Sequence, residues 1–181
     1  MSLTTALLIT GENSQYNEFS NLDIHNMGTT DFDHGVYIST SNNLFENSQV
    51  HDNAGWGIQI YNEHEWPCDN NIIRNNDVYD NARVGKRGVG IGLYSGSGHM
   101  AYNNVVWNNN EGIVADYNSI GPKIYNNTLY KNDCNGGQYN VFIGPQAFYS
   151  EVYNNIIAAQ TDIGLYHSAE TMMYPRNQTV K

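Results

Sequence analysis

Tyr125-Asn126-Asn127-Thr128-Leu129-Tyr130 is one copy of a hexapeptide that recurs along the whole chain. Other copies are Ser20-Asn21-Leu22-Asp23-Ile24-His25, Glu46-Asn47-Ser48-Gln49-Val50-His51 and Arg74-Asn75-Asn76-Asp77-Val78-Tyr79. Two more are Tyr102-Asn103-Asn104-Val105-Val106-Trp107 and Tyr153-Asn154-Asn155-Ile156-Ile157-Ala158. An apolar residue precedes each copy, at Phe19, Phe45, Ile73, Ala101, Ile124 and Val152. A further Asn follows four of them, at Asn53, Asn81, Asn109 and Asn132. The first Asn of each copy recurs every 23 to 28 residues, at 21, 47, 75, 103, 126 and 154.

A second element lies between the copies. It reads Gly35-Val36-Tyr37-Ile38, Gly57-Ile58-Gln59-Ile60, Gly90-Ile91-Gly92-Leu93 and Gly112-Ile113-Val114-Ala115, with weaker copies at Asn140-Val141-Phe142-Ile143 and Asp162-Ile163-Gly164-Leu165. A period of this length signals a solenoid. The segments are short and alternate with period two, and Asn and Gly punctuate them, so the repeat is β rather than helical. The leucine framework of leucine-rich repeats is absent. A parallel β-helix fits, each repeat forming one coil that stacks ~4.8 Å above the last. Three inward ladders are expected. The first runs Phe19, Phe45, Ile73, Ala101, Ile124, Val152. The second runs Ile24, Val50, Val78, Val106, Leu129, Ile157. The third runs Val36, Ile58, Ile91, Ile113, Val141, Ile163. The six aligned Asn are expected to form an amide ladder at one bend, as stacked Asn do in cross-β structures. The reading is therefore a single all-β domain, a parallel β-helix of about six coils. Repeats occupy about residues 7–165, and residues 166–181 form a tail or cap.

Composition narrows the function. The chain has 181 residues, 28 of them Asn and 17 Gly, with 14% charged and 40% hydrophobic. That is neither disordered nor helical. A net charge of −10 leaves no basic stripe for phosphates, which argues against nucleic acid as a partner. No apolar run approaches the ~20 residues of a membrane helix, so no membrane partner is expected. Met1 to Thr10 lacks the basic start and cleavage site of a signal peptide. Cys68 and Cys134 stand at non-equivalent repeat positions, which favours two thiols over a disulfide.

The phrases His34-Gly35-Val36-Tyr37-Ile38, Asn53-Ala54-Gly55-Trp56-Gly57-Ile58 and Tyr125-Asn126-Asn127-Thr128 resemble the right-handed parallel β-helix repeat proteins, over about Leu7 to Leu165. That superfamily includes pectate lyases, other polysaccharide lyases, alginate C5-epimerases and tailspike-type proteins. The resemblance implies the right hand, which agrees with the crossover rule. It also implies an acidic polysaccharide as partner and an extracellular or periplasmic location. The repeat itself is scaffold and does not specify chemistry. Family members usually have more coils and an N-terminal capping helix. The absence of a cap before Leu7-Leu8-Ile9 suggests a fragment, a short domain or half of an assembly, and predicts a homodimer through the N-terminal coil.

Turn lengths suggest where chemistry sits. Residues 27–34, 82–88 and 133–139 are long turns, while 54–55, 110–111 and 161 are short. A notch ~10 Å wide is expected above Gly55-Trp56. Asp31, Asp33 and His34 would form one wall, and Lys86 and Arg87, the sole adjacent basic pair, the other. A uronan lyase or epimerase needs such a set: a cation to neutralise the C5 carboxylate and a base to take the proton. Asp31-Phe32-Asp33-His34 is similar to the Asp/His-containing motif of alginate epimerases, with Tyr37 following. The same residues also read as turn formers and a solvated loop. Tyr102, Tyr125 and Tyr153 share one outward position, and Tyr79, Trp107 and Tyr130 another. These stripes read either as a sugar-binding platform or as cross-coil packing.

Three further groups carry ligand-type side chains: His25 with His51, Asp23 and Asp52; the insertion Glu63-His64-Glu65-Trp66-Pro67; and Asp77, Asp80 and Asp116. The last three offer oxygens of the kind Ca²⁺ takes, as in pectate lyases, but no Ca²⁺-loop spacing joins them. No cofactor or dedicated metal site is expected. The sequence thus leaves two functions open: a lyase- or epimerase-type module acting on an acidic polysaccharide, or a non-catalytic carbohydrate-binding or structural β-helix.

Overall fold

The computed structural model describes residues 4–62, 64, 66–85, 87–132, 136, 139–159, 163–168 and 179–180. Its strands stack into three sheets. The first contains β1 (Thr5–Ile9), β4 (His34–Ile38), β7 (Trp56–Ile60), β10 (Ile91–Ser97), β13 (Ile113–Ile120), β16 (Tyr139–Ile143) and β20 (Ile163–His167), with β17 (Ala147–Phe148) beside the end of β13. The second contains β2 (Glu18–Ser20), β5 (Leu44–Glu46), β8 (Ile72–Arg74), β11 (Met100–Tyr102), β14 (Lys123–Tyr125), β18 (Glu151–Tyr153) and β21 (Thr179–Val180). The third contains β3 (Asp23–His25), β6 (Gln49–His51), β9 (Asp77–Tyr79), β12 (Val105–Trp107), β15 (Thr128–Tyr130) and β19 (Ile156–Ala158). Every strand pair is parallel, and each strand's neighbours belong to the coils before and after it.

Apart from the two-residue β21, strands of the second and third sheets are three residues long and turn only their middle residue inward. The first two expected ladders are therefore observed in register: Phe19, Phe45, Ile73, Ala101, Ile124 and Val152, then Ile24, Val50, Val78, Val106, Leu129 and Ile157. Each buried Val, Ile or Leu contributes roughly 1.5–3 kcal/mol. The third ladder holds from Val36 to Val141, but Val141 pairs with Leu165, not Ile163. Ile163 pairs with Tyr139 and is exposed. The repeat drifts by two residues there, and period-two alternation makes both registers look apolar.

The amide ladder also differs from expectation, by one residue. Asn21, Asn47, Asn75, Asn103, Asn126 and Asn154 have φ between 50° and 59° and lie exposed. They reverse the chain in the left-handed region, which Asn tolerates. The residue after each turns inward instead. The Oδ1 of Asn76 accepts from Ser48 N–H at 3.0 Å, and that of Asn104 accepts from Asn76 N–H (3.0 Å) and Nδ2 (3.1 Å). Asn104 donates in turn to Asn127 Oδ1 at 3.1 Å and Ile73 O at 3.0 Å, and Asn127 donates to Asn155 at 3.0 Å. A second ladder runs through Asn53, Asn81, Asn109, Asn132 and Asn140, each Nδ2 reaching the next Oδ1 at 2.8–3.0 Å. A third joins Asn17, Asn43 and Asn71 and ends on His99, whose Nδ1 accepts from Asn71 N–H at 3.2 Å.

Long and short connections alternate as expected: residues 26–33 and 80–90 are long, 52–55 and 108–112 short. Lys86, the insertion's Glu63 and Glu65, Cys134, and most of the turn at 133–139 lie outside the described residues. Cys68 is a buried free thiol, and burial pushes its pKa up to about 12.

The register makes Asn104→Leu costly. It leaves Asn76 N–H and Nδ2 without their acceptor and should destabilise by roughly 1–3 kcal/mol. Asn103→Gly, at φ 55°, should change stability little. Urea unfolding of both variants compares them, and equal midpoints would contradict the ladder.

Candidate functional site

The first sheet's outer face bears three columns of side chains set by strand register. One column runs His34, Trp56, Val89, Glu111, Tyr139. The next runs Tyr37, Gln59, Gly92, Val114, Phe142. The third includes Tyr61, Tyr94 and Asp116, beyond the last inward residues. A cleft of about 590 Å³ opens across these columns, and Phe32, Arg87, Asn110 and Tyr117 complete its walls.

Gly92 decides the cleft's centre. A Cβ there would lie 2.4 Å from the Tyr94 ring, so the missing side chain lets Tyr94 fold flat over the sheet. Tyr94 is 2% exposed and packs edge-to-face against Trp56 (5.4 Å), Tyr117 (5.1 Å) and Tyr61 (6.5 Å). Burial, with Glu111, Tyr117 and Asp116 adding to it, holds the Tyr94 phenol protonated far above its ordinary range. His34 stacks on Trp56 at 6.0 Å, and its Nε2 is hydrogen-bonded to Gln59 Oε1. Burial raises the Glu111 carboxyl, so it retains a proton more readily than an ordinary glutamate. The Asp116 carboxylate is committed to the next coil: it accepts from Gln146 N–H at 2.9 Å and packs against Gly144, both in the connection after β16.

The expected notch is closed. A Cβ on Gly55 would lie 2.6 Å from Asp33 O and 2.8 Å from Asp31 O, Gly88 presses on the Gly55 carbonyl, and Gly85 lies against the Asp31 side chain. The two long turns thus meet over Gly55, and the open space lies beside them, on the sheet. The turns still bring His34 and Arg87 to one cleft. The exposed Arg87 guanidinium sits 4.8 Å from the Phe32 ring centre at the rim.

Asp31 and Asp33 belong to the turn. Asp33 is 3% exposed, shallow in the fold but sealed by its own loop. Its carboxylate accepts from Thr4 N–H (3.0 Å), Thr29 N–H (2.8 Å), and Thr30 N–H (2.8 Å) and hydroxyl (3.1 Å). Burial opposes ionisation, but these four bonds outweigh it and lower the pKa to about 2. Asp33 is thus a poor proton acceptor near neutral pH.

The aromatic stripes are stacks. Tyr102, Tyr125 and Tyr153 lie face to face at 4.7 and 4.9 Å. Tyr79, Trp107 and Tyr130 do the same at 4.3 and 5.9 Å, continued below by His51 and His25 at 4.6 and 5.1 Å. Each inner ring spends both faces on its neighbours, and a sugar needs a free face. Geometry therefore favours cross-coil packing for the six residues. His51 is bonded to Asp23 (3.0 Å) and Asp52 (2.8 Å), and His64 stacks on Trp66 at 4.1 Å. Asp77 and Asp80 lie on or beside the third sheet and Asp116 on the first, and no cluster among the described residues could hold a metal.

Residues 5–179 match the family described as the right handed beta helix region. The chain belongs to this right-handed β-helix family. Three solved structures are similar to it. The periplasmic alginate epimerase AlgG, as a double mutant, aligns with TM-score 0.50 and 17% identity over 90% of this chain and 39% of that one. The A-module of mannuronan C-5 epimerase AlgE4 from Azotobacter vinelandii aligns with TM-score 0.47 and 15% identity, over 90% and 58%. Pectate lyase Pel9A aligns with TM-score 0.47 and 18% identity, over 96% and 57%. The likeness to the first of these bears on the fold alone, and this β-helix spans only about two to three fifths of the length of those chains. No curated protein matches it in sequence.

Sequence reasoning missed Gln59, Tyr61, Tyr94, Glu111, Tyr117 and Phe142. The aligned strands already placed Gln59 and Phe142 outward. Tyr61 and Tyr94 each follow the last inward residue of a strand, a signal that needs the sheet's outer face to be recognised as the open one.

Asp33 yields a pH test. Its pKa is lowered on folding, so it adds stability above the ordinary carboxylate range, and this is lost as pH falls through 4 towards about 2. Asp33→Asn should cost roughly 2 kcal/mol at pH 7, and the gap to the parent protein should shrink as pH falls to 2.5. Urea midpoints at pH 7, 4 and 2.5 measure it, and a gap independent of pH would contradict the assigned bonds.

Proposed function

We propose that the outer cleft of the first sheet binds an acidic polysaccharide, and that the chain is a carbohydrate-active module of lyase or C5-epimerase type. One observation carries this reading: a guanidinium, Arg87, is held on an aromatic ring at the mouth of a cleft that several aromatic side chains wall and that contains a carboxyl of raised pKa. Sugars offer C–H faces to rings and a uronate offers a carboxylate to Arg. Lyases and C5-epimerases share their first demand. The carboxylate must be neutralised so that the proton on the adjacent carbon becomes acidic, and a nearby group must take it.

Arg87 is assigned the first role. Glu111 and His34 are the candidates for proton transfer, with Gln59 orienting the imidazole. Asp31 and Asp33 hold the turn that presents Phe32 and His34. Lys86, next to Arg87 in sequence, is proposed as a second cation for the polymer. A polysaccharide substrate fits an extracellular or periplasmic location. Binding without turnover is the second reading, favoured because Asp33, one of the expected catalytic groups, is spent on its turn.

Incubation with alginate, polygalacturonate and glycosaminoglycans tests both readings. Unsaturated-uronate absorbance reports cleavage, proton NMR reports epimerisation and calorimetry reports binding. Arg87→Ala should weaken binding or turnover at least tenfold, about 1.4 kcal/mol, with an unchanged melting temperature because the side chain is exposed. Binding that survives this substitution would remove the cleft from consideration.

A further inference from the structure

His99 lies in the core, on the inner side of the wall that carries the cleft. It is fully buried and occupies the rung of the third ladder where Asn17, Asn43 and Asn71 stand in earlier coils. Its neighbours fix its proton. Nδ1 faces the Asn71 N–H at 3.2 Å and accepts, while Nε2 faces the Ser95 carbonyl at 2.8 Å and donates. A second proton on Nδ1 would point at an N–H donor, so the site admits only the neutral ring.

Ser95 is the residue after Tyr94. The strand breaks register between Tyr94 and Gly96, with Ser95 at φ 45° and Gly96 at φ 76°. A non-glycine residue in this region is strained and needs outside support. His99 holds the Ser95 carbonyl from inside. From outside, the Ser95 hydroxyl accepts from Asn62 N–H at 2.7 Å, next to Tyr61. The bulge that aims Tyr94 over Gly92 is thus pinned on both sides, and the inner pin is a titratable ring.

We propose that His99 is a positioning residue for the Tyr94–Tyr61 pair of the cleft, and that its protonation in mild acid releases the Ser95 bulge and weakens ligand binding. The regulatory part rests on the reading of the cleft as a polysaccharide site; the positioning part does not. Burial lowers the His99 pKa from the usual histidine range to about 4, against weaker opposing effects of the Ser95 bond, Asp69 and the Cys68 carbonyl. A lowered value means the neutral ring stabilises the fold fully above about pH 6.5, and this is lost as pH falls towards 4. The charged groups on the elements packed against it are Asp69 and Lys123. The Asp69 carboxylate is bonded to Ser97 N–H at 2.7 Å, and Lys123 pairs outward with Glu151 at 3.3 Å. The Cys68 thiol beside it stays protonated.

The test is NMR of protein labelled on histidine and tyrosine rings, without ligand, titrated from pH 7.5 to 3. The Tyr94 and Tyr61 signals should move with the midpoint of His99 while Tyr102, Tyr125 and Tyr153, in the second sheet, stay in place. In His99→Asn, and in His99→Gln should the shorter side chain fold poorly, the acid-dependent movement of Tyr94 should vanish. Calorimetry with polygalacturonate oligomers should show about a twofold loss of affinity between pH 7 and 4 in the parent protein, where half of the His99 rings are protonated, and a smaller one in the variant. Tyr94 signals indifferent to His99 titration would overturn the proposal. So would loss of all tyrosine signals together, which would make His99 a general stability element. Failure to bind oligomers at any pH, with Tyr94 still following His99, would strike the polysaccharide reading and leave the positioning role standing.

Discussion

Coil-to-coil bonding by side-chain amides at the bends holds this molecule in register. The backbone bonds of a parallel sheet tolerate a slip of two residues. A ladder in which Asn104 receives from Asn76 and gives to Asn127 and Ile73 does not. Asn76, Asn104 and Asn127 are buried, and each uses both its oxygen and its nitrogen, so a slip would strand several polar groups at once. The bends therefore become fixed posts, and the apolar ladders between them need only be of suitable size.

Fixed bends let the connections vary. Between the second ladder and the first sheet, long turns alternate with short ones, and two long turns close over Gly55. Their contact makes a wall instead of a notch. It also sets Phe32, His34 and Arg87 along one side of the sheet's outer face, where the cleft opens. The third ladder works similarly from within. Where His99 replaces Asn, the ladder gains a bond to Ser95 and with it a hold on the strand that carries Tyr94.

Aromatic residues serve two purposes here, distinguished by whether their columns run unbroken from coil to coil. On the second and third sheets, equivalent positions carry an aromatic or imidazole ring in successive coils, and the rings lie parallel in stacks. On the first sheet the residue changes from coil to coil, as in His34, Trp56, Tyr61, Tyr94 and Tyr117; Tyr94 meets Trp56 and Tyr117 edge to face, while His34 stacks on Trp56. Uniform columns close on themselves. Uneven columns leave concavities, because a large side chain beside a glycine such as Gly92 cannot be matched by its neighbour.

The solenoid, the parallel sheets, two inward ladders and the alternation of turn lengths were legible from the repeat, because one period imposes one geometry on every coil. Within Asn103-Asn104 the sequence could not say which residue reverses the chain and which enters the core. Both are Asn, and only backbone dihedrals separate them. The drift that seats Leu165 in place of Ile163 was hidden for a similar reason, since alternation looks alike in both registers. His34 and Arg87 were singled out by their turns, but their surroundings were not legible. Whether two loops meet or stand apart depends on contacts at Gly55 and Gly88, and the bond from His99 to Ser95 depends on a bulge with no repeat to announce it. The period determined what every coil shares, while the tertiary structure decided what happens where coils differ, because those contacts join residues that no common spacing relates.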